Sequence, residues 1–200
     1  MKDWTIRTRV LFGFTLLIAL AAFIGLFSIG RISDLRVDVD AIAATWVPSV
    51  KTFTDIEVSF MKLRRNVVLG GWLLASGSPA EAQETMADVT KAAHRLTGLI
   101  DDYKDSVAYP LGEGKFYEAV TAANQAFGAN LATYSALIAA GKAAETLDFN
   151  RKVLFPSATA LEEALEAETE FNRSNLDDQS KQSSVLASTA VAAIWIGLGT

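Results

Sequence analysis

The sequence predicts an all-α protein, a membrane-anchored antiparallel up-down-up-down four-helix bundle flanked by two transmembrane helices. Three observations lead to this fold class. Uncharged hydrophobic blocks lie near both ends of the 200-residue chain, apolar residues between them recur at intervals of three and four, and Gly- and Pro-containing turns divide the middle region into four parts. Such intervals place apolar side chains on one face of a helix, and no window shows the sustained alternation of a strand.

The first hydrophobic block predicts a transmembrane helix at residues 10–30. About 20 residues at 1.5 Å each cover the ~30 Å hydrocarbon core of a bilayer. Three basic residues among residues 1–9 place that segment in the cytoplasm. A cleaved signal peptide is the alternative, because Ser28 and Gly30 have the spacing of a cleavage site. The apolar segment of a signal peptide is only about 7–15 residues long. The longer block in this chain therefore favours a transmembrane helix.

The last block, residues 185–200, is also uncharged and predicts the start of a second transmembrane helix inside which the chain is cut. Residues 31–184 would then form an extracytoplasmic domain. An output domain is expected to follow Thr200 on the cytoplasmic side.

Turn signals in the middle region separate four predicted helices. They are Ser76–Pro79, residues 109–114 and Gly141-Lys142. The apolar stripes between them predict the buried seams of a bundle. These stripes comprise Ile32, Leu35, Val39, Ile42, Trp46, Phe53, Ile56, Phe60, Leu63, Val67, Leu74, Ala82, Met86, Val89, Ala93, Leu96, Ile100, Tyr103, Val107, Phe116, Val120, Phe127, Leu131, Tyr134, Ile138, Leu147, Leu154, Ala158, Leu161 and Leu165.

Composition argues against several classes of function. The net charge of −5 disfavours nucleic-acid binding, which needs clustered Lys and Arg. The absence of cysteine excludes a disulfide scaffold and a thiol nucleophile, and a single histidine disfavours a metal site or a catalytic triad. We therefore expect a binding or structural protein with no cofactor and no metal, not an enzyme.

The order of basic N-terminus, first span, bundle and second apolar block, with Trp46-Val47-Pro48 shortly after the first span, resembles a known family. It is similar to the N-terminal sensor portion of bacterial methyl-accepting chemotaxis proteins with a four-helix-bundle ligand-binding domain. The resemblance implies a multi-pass protein of the bacterial inner membrane with a periplasmic sensor domain. It also implies a homodimer formed through the first bundle helices, with ligand held near the distal dimer interface.

In that family a small displacement of the fourth helix passes the signal to cytoplasmic signalling proteins through the C-terminal part. Histidine kinases and cyclases carry the same module, so the output domain stays open. A structural or adaptor bundle that binds a partner protein is the alternative from another class. A sensor that binds a periplasmic binding protein lies between the two, and a membrane-anchored enzyme or haem bundle is disfavoured by the single histidine.

Arg64 and Arg65 are the candidate ligand-binding cations. Neither has an acidic residue three or four positions away, so their partner is water, another helix, a second subunit or an anionic ligand. Phe155 on the fourth helix lies at the same height as Arg64, about 18 Å from the distal turn, and Ser157 and Thr159 follow it within about one turn. Since arginine suits carboxylates, these five residues predict a small-carboxylate site, with surface or inter-subunit arginines as the alternative.

The resemblance also bears on the kind of acid. Receptors of the enteric aspartate and serine type use three arginines spaced Arg-x4-Arg-x3-Arg, and this chain has Leu69 and Leu73 in the positions that follow Arg64. Residues 155–159, Phe-Pro-Ser-Ala-Thr, stand where those receptors carry Phe-Ala-Gln-Pro-Thr. We therefore expect an organic acid rather than an amino acid.

Two further features of the fourth helix lead to predictions. Pro156 removes a backbone donor and predicts a kink. Five glutamates predict a solvated acidic face, and these are Glu162, Glu163, Glu166, Glu168 and Glu170.

Overall fold

The computed structural model describes residues 5–41, 43–44, 47–107 and 112–199. Within these residues the chain is helical, without a strand, which confirms the predicted all-α fold. The α-helices are α1 (Ile6–Ala41), α2 (Val47–Ala75), α3 (Pro79–Tyr103), α4 (Gly114–Ala139), α5 (Ala143–Phe149) and α6 (Phe155–Gly199). A 3-10 helix, Lys104–Ser106, follows α3, and a π-helical turn, Asn150–Leu154, joins α5 to α6.

The chain divides into two compact units. One comprises Met1–Ala44 with Leu176–Thr200, and the other comprises Thr45–Asn175. In the first unit, Ile6–Val37 is the only segment of the described residues that is long and apolar enough to cross a membrane. This segment contains the predicted span at 10–30.

The predicted first bundle helix comprises the end of α1, the π-helical residues 43–44 and α2. Helix α1 ends at Ala41 and α2 begins at Val47, with Pro48 in its first turn, where the missing N–H costs no helical hydrogen bond. Ile32 and Val39, predicted to lie in the core, are exposed because they belong to α1 and the other unit's core begins in α2. The predicted core residues Ile42 and Trp46 lie outside the described residues, as do residues 108–111 of the second predicted turn.

The first and third predicted turns have the same backbone structure. In each, a glycine with positive φ, Gly77 at +88° and Gly141 at +70°, follows a helix. The next residue donates its N–H to the carbonyl five positions back, Ser78 to Leu73 and Lys142 to Leu137. This is a Schellman ending, which glycine allows because it lacks a Cβ. It ends α2 and α4 abruptly and lets α3 and α5 begin at once.

The core of the second unit consists of the stripes of α2, α3, α4 and the fourth helical segment. From Phe53 to Leu165 the residues of the four predicted stripes are buried, except Ala93, Val107 and Phe116, which are half-buried, and Leu147, which is exposed. The bundle prediction is confirmed for this unit. Gly70 and Gly71 are sites of close packing rather than fraying. A methyl group on Gly71 would overlap the Tyr134 hydroxyl, and one on Gly70 would lie 2.9 Å from Met86 Sδ.

Leu147 was predicted in the core and is 67% exposed, while Thr146 is buried in its place. The cause is the π-helical turn, in which the N–H of Phe155 donates to the carbonyl of Asn150, five residues back. A wider turn shifts the helical phase of everything before it by one position. Pro156, which cannot donate a backbone hydrogen bond, comes one residue later, after Phe155.

Candidate functional site

Arg64 projects from the half-buried flank of α2 and contacts α6 in two ways. Its Nη1 donates to Oε2 of Glu162 in a partly buried ion pair. Its guanidinium also lies over the ring of Phe155, 5.2 Å from the ring centroid, a distance suited to a cation–π interaction. The sequence left water, another helix, a second subunit or an anionic ligand as the partner of this arginine. In the structure the partner is another helix, α6.

Arg64 and Phe155 line a cavity of ≈ 150 Å³. Its other walls are Val67, Val68, Phe127, Asn150, Leu154 and Ala158. The lining is thus apolar except for one guanidinium and one amide. A small anionic group beside a short apolar chain matches this distribution of polar and apolar surface.

The remaining predicted site residues do not line this cavity. Arg65 is exposed and borders a shallow groove with Glu57, Val58, Met61 and Lys62. Ser157 Oγ donates to the carbonyl of Leu154, 2.9 Å away, and both it and Thr159 are half-buried. The structure therefore brings Arg64 and Phe155 together and leaves Arg65, Ser157 and Thr159 apart from them.

A larger groove of ≈ 500 Å³ runs between α2 and α6. Its walls are Glu57, Phe60, Met61, Glu162, Leu165, Glu166, Thr169, Glu170 and Arg173. The Thr169 hydroxyl donates to Glu57 Oε1 across it, 2.7 Å away. Four carboxylates against one guanidinium repel an anion, so the smaller Arg64 cavity suits a carboxylate better than the larger groove does.

An exposed stripe also runs along α2. We call it the α2 seam, and it consists of Val58, Met61, Arg65, Val68 and Trp72. These positions are spaced three, four, three and four apart, which is the spacing of a coiled-coil contact face. Its members are exposed among the described residues, with Trp72 63% exposed.

The comparisons assign a family. The family model of the four-helix-bundle sensory module for signal transduction matches residues 3–187. The chain belongs to this family. The resemblance to the sensor portion of chemotaxis receptors is thereby confirmed, and the family is one of sensory rather than catalytic domains. Comparisons with curated proteins and with solved structures gave no match.

The prediction of a solvated acidic face on the fourth helix is wrong for Glu168, which is fully buried. Glu162 is half-buried by its ion pair with Arg64. The sequence did contain a signal for the burial of Glu168. The apolar stripe of α6 runs Leu154, Ala158, Leu161, Leu165 at intervals of four, three and four, and its next position is 168.

Proposed function

We propose that this sensory module binds a small organic carboxylate in the Arg64 cavity and transmits the occupancy of that cavity through α6. The observation that carries the proposal is a half-buried arginine, held by a single glutamate of α6, at the edge of a cavity whose lining is otherwise apolar except for the Asn150 amide. An arginine fork binds a carboxylate by charge-assisted hydrogen bonds. Phe155 and the apolar walls would contact the rest of the ligand.

The mechanism follows from the bond that a ligand must replace. A ligand carboxylate competes with Glu162 for the Arg64 guanidinium, because both are planar anions that accept from the same donors. Glu162 borders the open groove between α2 and α6, where water can solvate it once it is displaced. Ligand binding would thus remove an ionic contact between α2 and α6 and allow a small displacement of α6.

Loss of Arg64 should abolish most of the affinity for the acid. A charge-assisted hydrogen bond is worth about 1.5–3 kcal/mol, so Arg64→Ala should weaken binding roughly ten- to a hundredfold. The measurement is calorimetric titration of the whole chain in nanodiscs with mono-, di- and tricarboxylates. Arg65→Ala is the matched control, because it removes the neighbouring exposed arginine and should change affinity less than about twofold. An acid that binds equally well to Arg64→Ala and to the parent would contradict the proposed site.

We further propose a homodimer in which two α2 seams meet. The support is the coiled-coil spacing of five exposed residues, four of them large and apolar, on a helix whose other face is the bundle core. Met61→Cys and Val68→Cys should cross-link between subunits in the membrane. Thr133→Cys, an exposed position on α4, should not. Cross-linking at Thr133→Cys as efficient as at the seam would contradict this dimer.

For the membrane arrangement we propose residues 10–30 as the first span, residues 31–184 as an antiparallel up-down-up-down bundle in the periplasm, and residues from 185 as the second span. The support is the apolar segment of α1 and the basic residues before it. Ser78→Cys, in the turn between α2 and α3, should react with a membrane-impermeant thiol reagent in cells with a permeabilised outer membrane. Labelling only after lysis would reverse the topology.

A further inference from the structure

A second polar cluster ties α6 to the core, apart from the Arg64 cavity. It consists of Tyr103, Glu113, Glu168 and Asn172, each with at most 1% of its surface exposed. Tyr103 is the last residue of α3, Glu113 is the N-cap of α4, and the other two are one turn apart on α6. We call this the carboxyl cluster.

Hydrogen bonds connect the whole carboxyl cluster. The Tyr103 hydroxyl donates to Glu113 Oε1. The Asn172 amide donates to the Tyr103 hydroxyl and to Glu168 Oε1, each 3.2 Å away. Glu168 Oε2 is buried and receives no hydrogen bond from a described donor, whereas the Glu113 side chain lies within hydrogen-bonding reach of Glu168. Two carboxyl groups can bond to each other only if one of them carries a proton.

The surroundings of Glu168 favour its protonated form. Burial is the largest of the effects that raise the pKa of Glu168 to about 9, followed by the hydrogen bond to Glu113 and the charge of Glu113. The hydrogen bond with Asn172 lowers this pKa by a smaller amount. Burial and Glu113 also raise the pKa of Tyr103, which keeps it a donor. Glu113 from α4, Tyr103 from α3 and Asn172 from α6 face Glu168, and none of them is a cation. From α2 the neighbours of Tyr103 are the Phe53 ring, 4.6 Å from the Tyr103 ring, and the buried side chain of Ser49.

We propose that Glu113 and Glu168 share one proton in the folded module, and that its loss at alkaline external pH loosens α6 at this cluster. The module would then respond to pH through a site separate from the carboxylate ligand site. The device is local, because it concerns one turn of α6 where two like charges would otherwise be buried together.

The direction of the effect follows from proton linkage. The folded state keeps the Glu168 proton up to about pH 9, whereas an opened state releases it near the ordinary value of 4.5. The closed cluster is therefore fully favoured below about pH 4.5 and loses stability as pH rises toward 9. For one proton the opening equilibrium grows by up to about tenfold per pH unit within that window, and then levels off.

Two measurements on the whole chain in nanodiscs test this. Infrared titration of the unaltered chain should show a protonated carboxyl band at pH 7 that disappears as the pH rises through about 9, whereas exposed carboxylates contribute none. Hydrogen exchange of residues 165–175, corrected for the intrinsic rate, should speed up at least tenfold between pH 6 and pH 9. In Glu168→Gln, which keeps the shape but cannot ionise, that increase should fall below twofold.

Glu163→Gln is the matched control, because Glu163 is an exposed glutamate on the same helix. It should leave both the band and the exchange profile unchanged. Absence of a protonated carboxyl at pH 7 overturns the proposal, as does an equal pH dependence of exchange in the parent and in Glu168→Gln. The infrared titration needs no variant, so it decides the matter even if Glu168→Gln fails to fold.

Discussion

Glu162 and Glu168 lie within two turns of each other on α6 and both tie that helix to the rest of the bundle, but their surroundings differ completely. The side chain of Glu162 is 27% exposed and pairs with one arginine of α2. Glu168 is fully buried among hydrogen-bonding neutral groups and a second carboxyl. The first contact can be exchanged for a ligand in solution, whereas the second can change only with the proton or with the opening of the helix.

The largest expected effect is on stability and separates the two glutamates directly. Glu168→Ala removes one acceptor of the Asn172 amide and opens a cavity in the buried carboxyl cluster, which should cost about 2–4 kcal/mol of unfolding free energy. Glu162→Ala breaks a partly solvated ion pair and should cost about 1 kcal/mol or less. Urea unfolding of both variants and the parent measures the difference. Equal losses would remove the distinction between an exchangeable contact and a fixed one.

A second prediction concerns the exchangeable contact alone. Glu162→Gln removes the charge that competes for Arg64 but keeps the side-chain shape, so the ligand acid should bind more tightly, by up to about tenfold, or ~1.4 kcal/mol. Glu163→Gln changes the net charge equally without touching Arg64 and should leave affinity within about twofold. Calorimetry of the two variants measures this. Weaker binding to Glu162→Gln would mean that Glu162 helps to hold the ligand.

The smallest effect is expected at Phe155. Phe155→Leu keeps an apolar wall but loses the ring under the guanidinium, and an exposed cation–π contact is worth about 0.5–1 kcal/mol. Affinity for the acid should fall about two- to fivefold, with unfolding free energy nearly unchanged because the side chain is 52% exposed. A loss of affinity as large as that of Arg64→Ala would make the ring, rather than the charge, the main determinant of binding.

Much of the fold could be predicted from the sequence, because apolar spacing and glycine turns are local signals. The pairing of Arg64 with Phe155 also follows from counting residues back from the turns. The partner of Arg64 could not be found this way, since Glu162 is 98 positions away and the rotation of each helix decides which of five glutamates it meets. That same rotation carries Arg65 out of the site.

Glu168 shows a different kind of failure. Its position in the apolar stripe indicated burial, whereas its charge indicated solvent, and charge is usually the better guide because an isolated buried carboxylate is unstable. Burial prevailed because Tyr103, Glu113 and Asn172 form a hydrogen-bonded environment for it. Tyr103 ends α3, Glu113 caps α4, and Glu168 and Asn172 lie on α6. Because the cluster is assembled from three separate elements, no window of sequence reveals it.

The π-helical turn at Asn150–Leu154 has a consequence for evolutionary comparison. Such a turn holds one more residue than an α-helical turn, so it is equivalent to a single-residue insertion in a plain helix. A relative without it should align with this chain only if a one-residue gap falls between Phe149 and Phe155. An ungapped alignment that is correct for Glu162 and Glu168 would mismatch every residue of α5, so ancestry inferred across this turn depends on placing that gap.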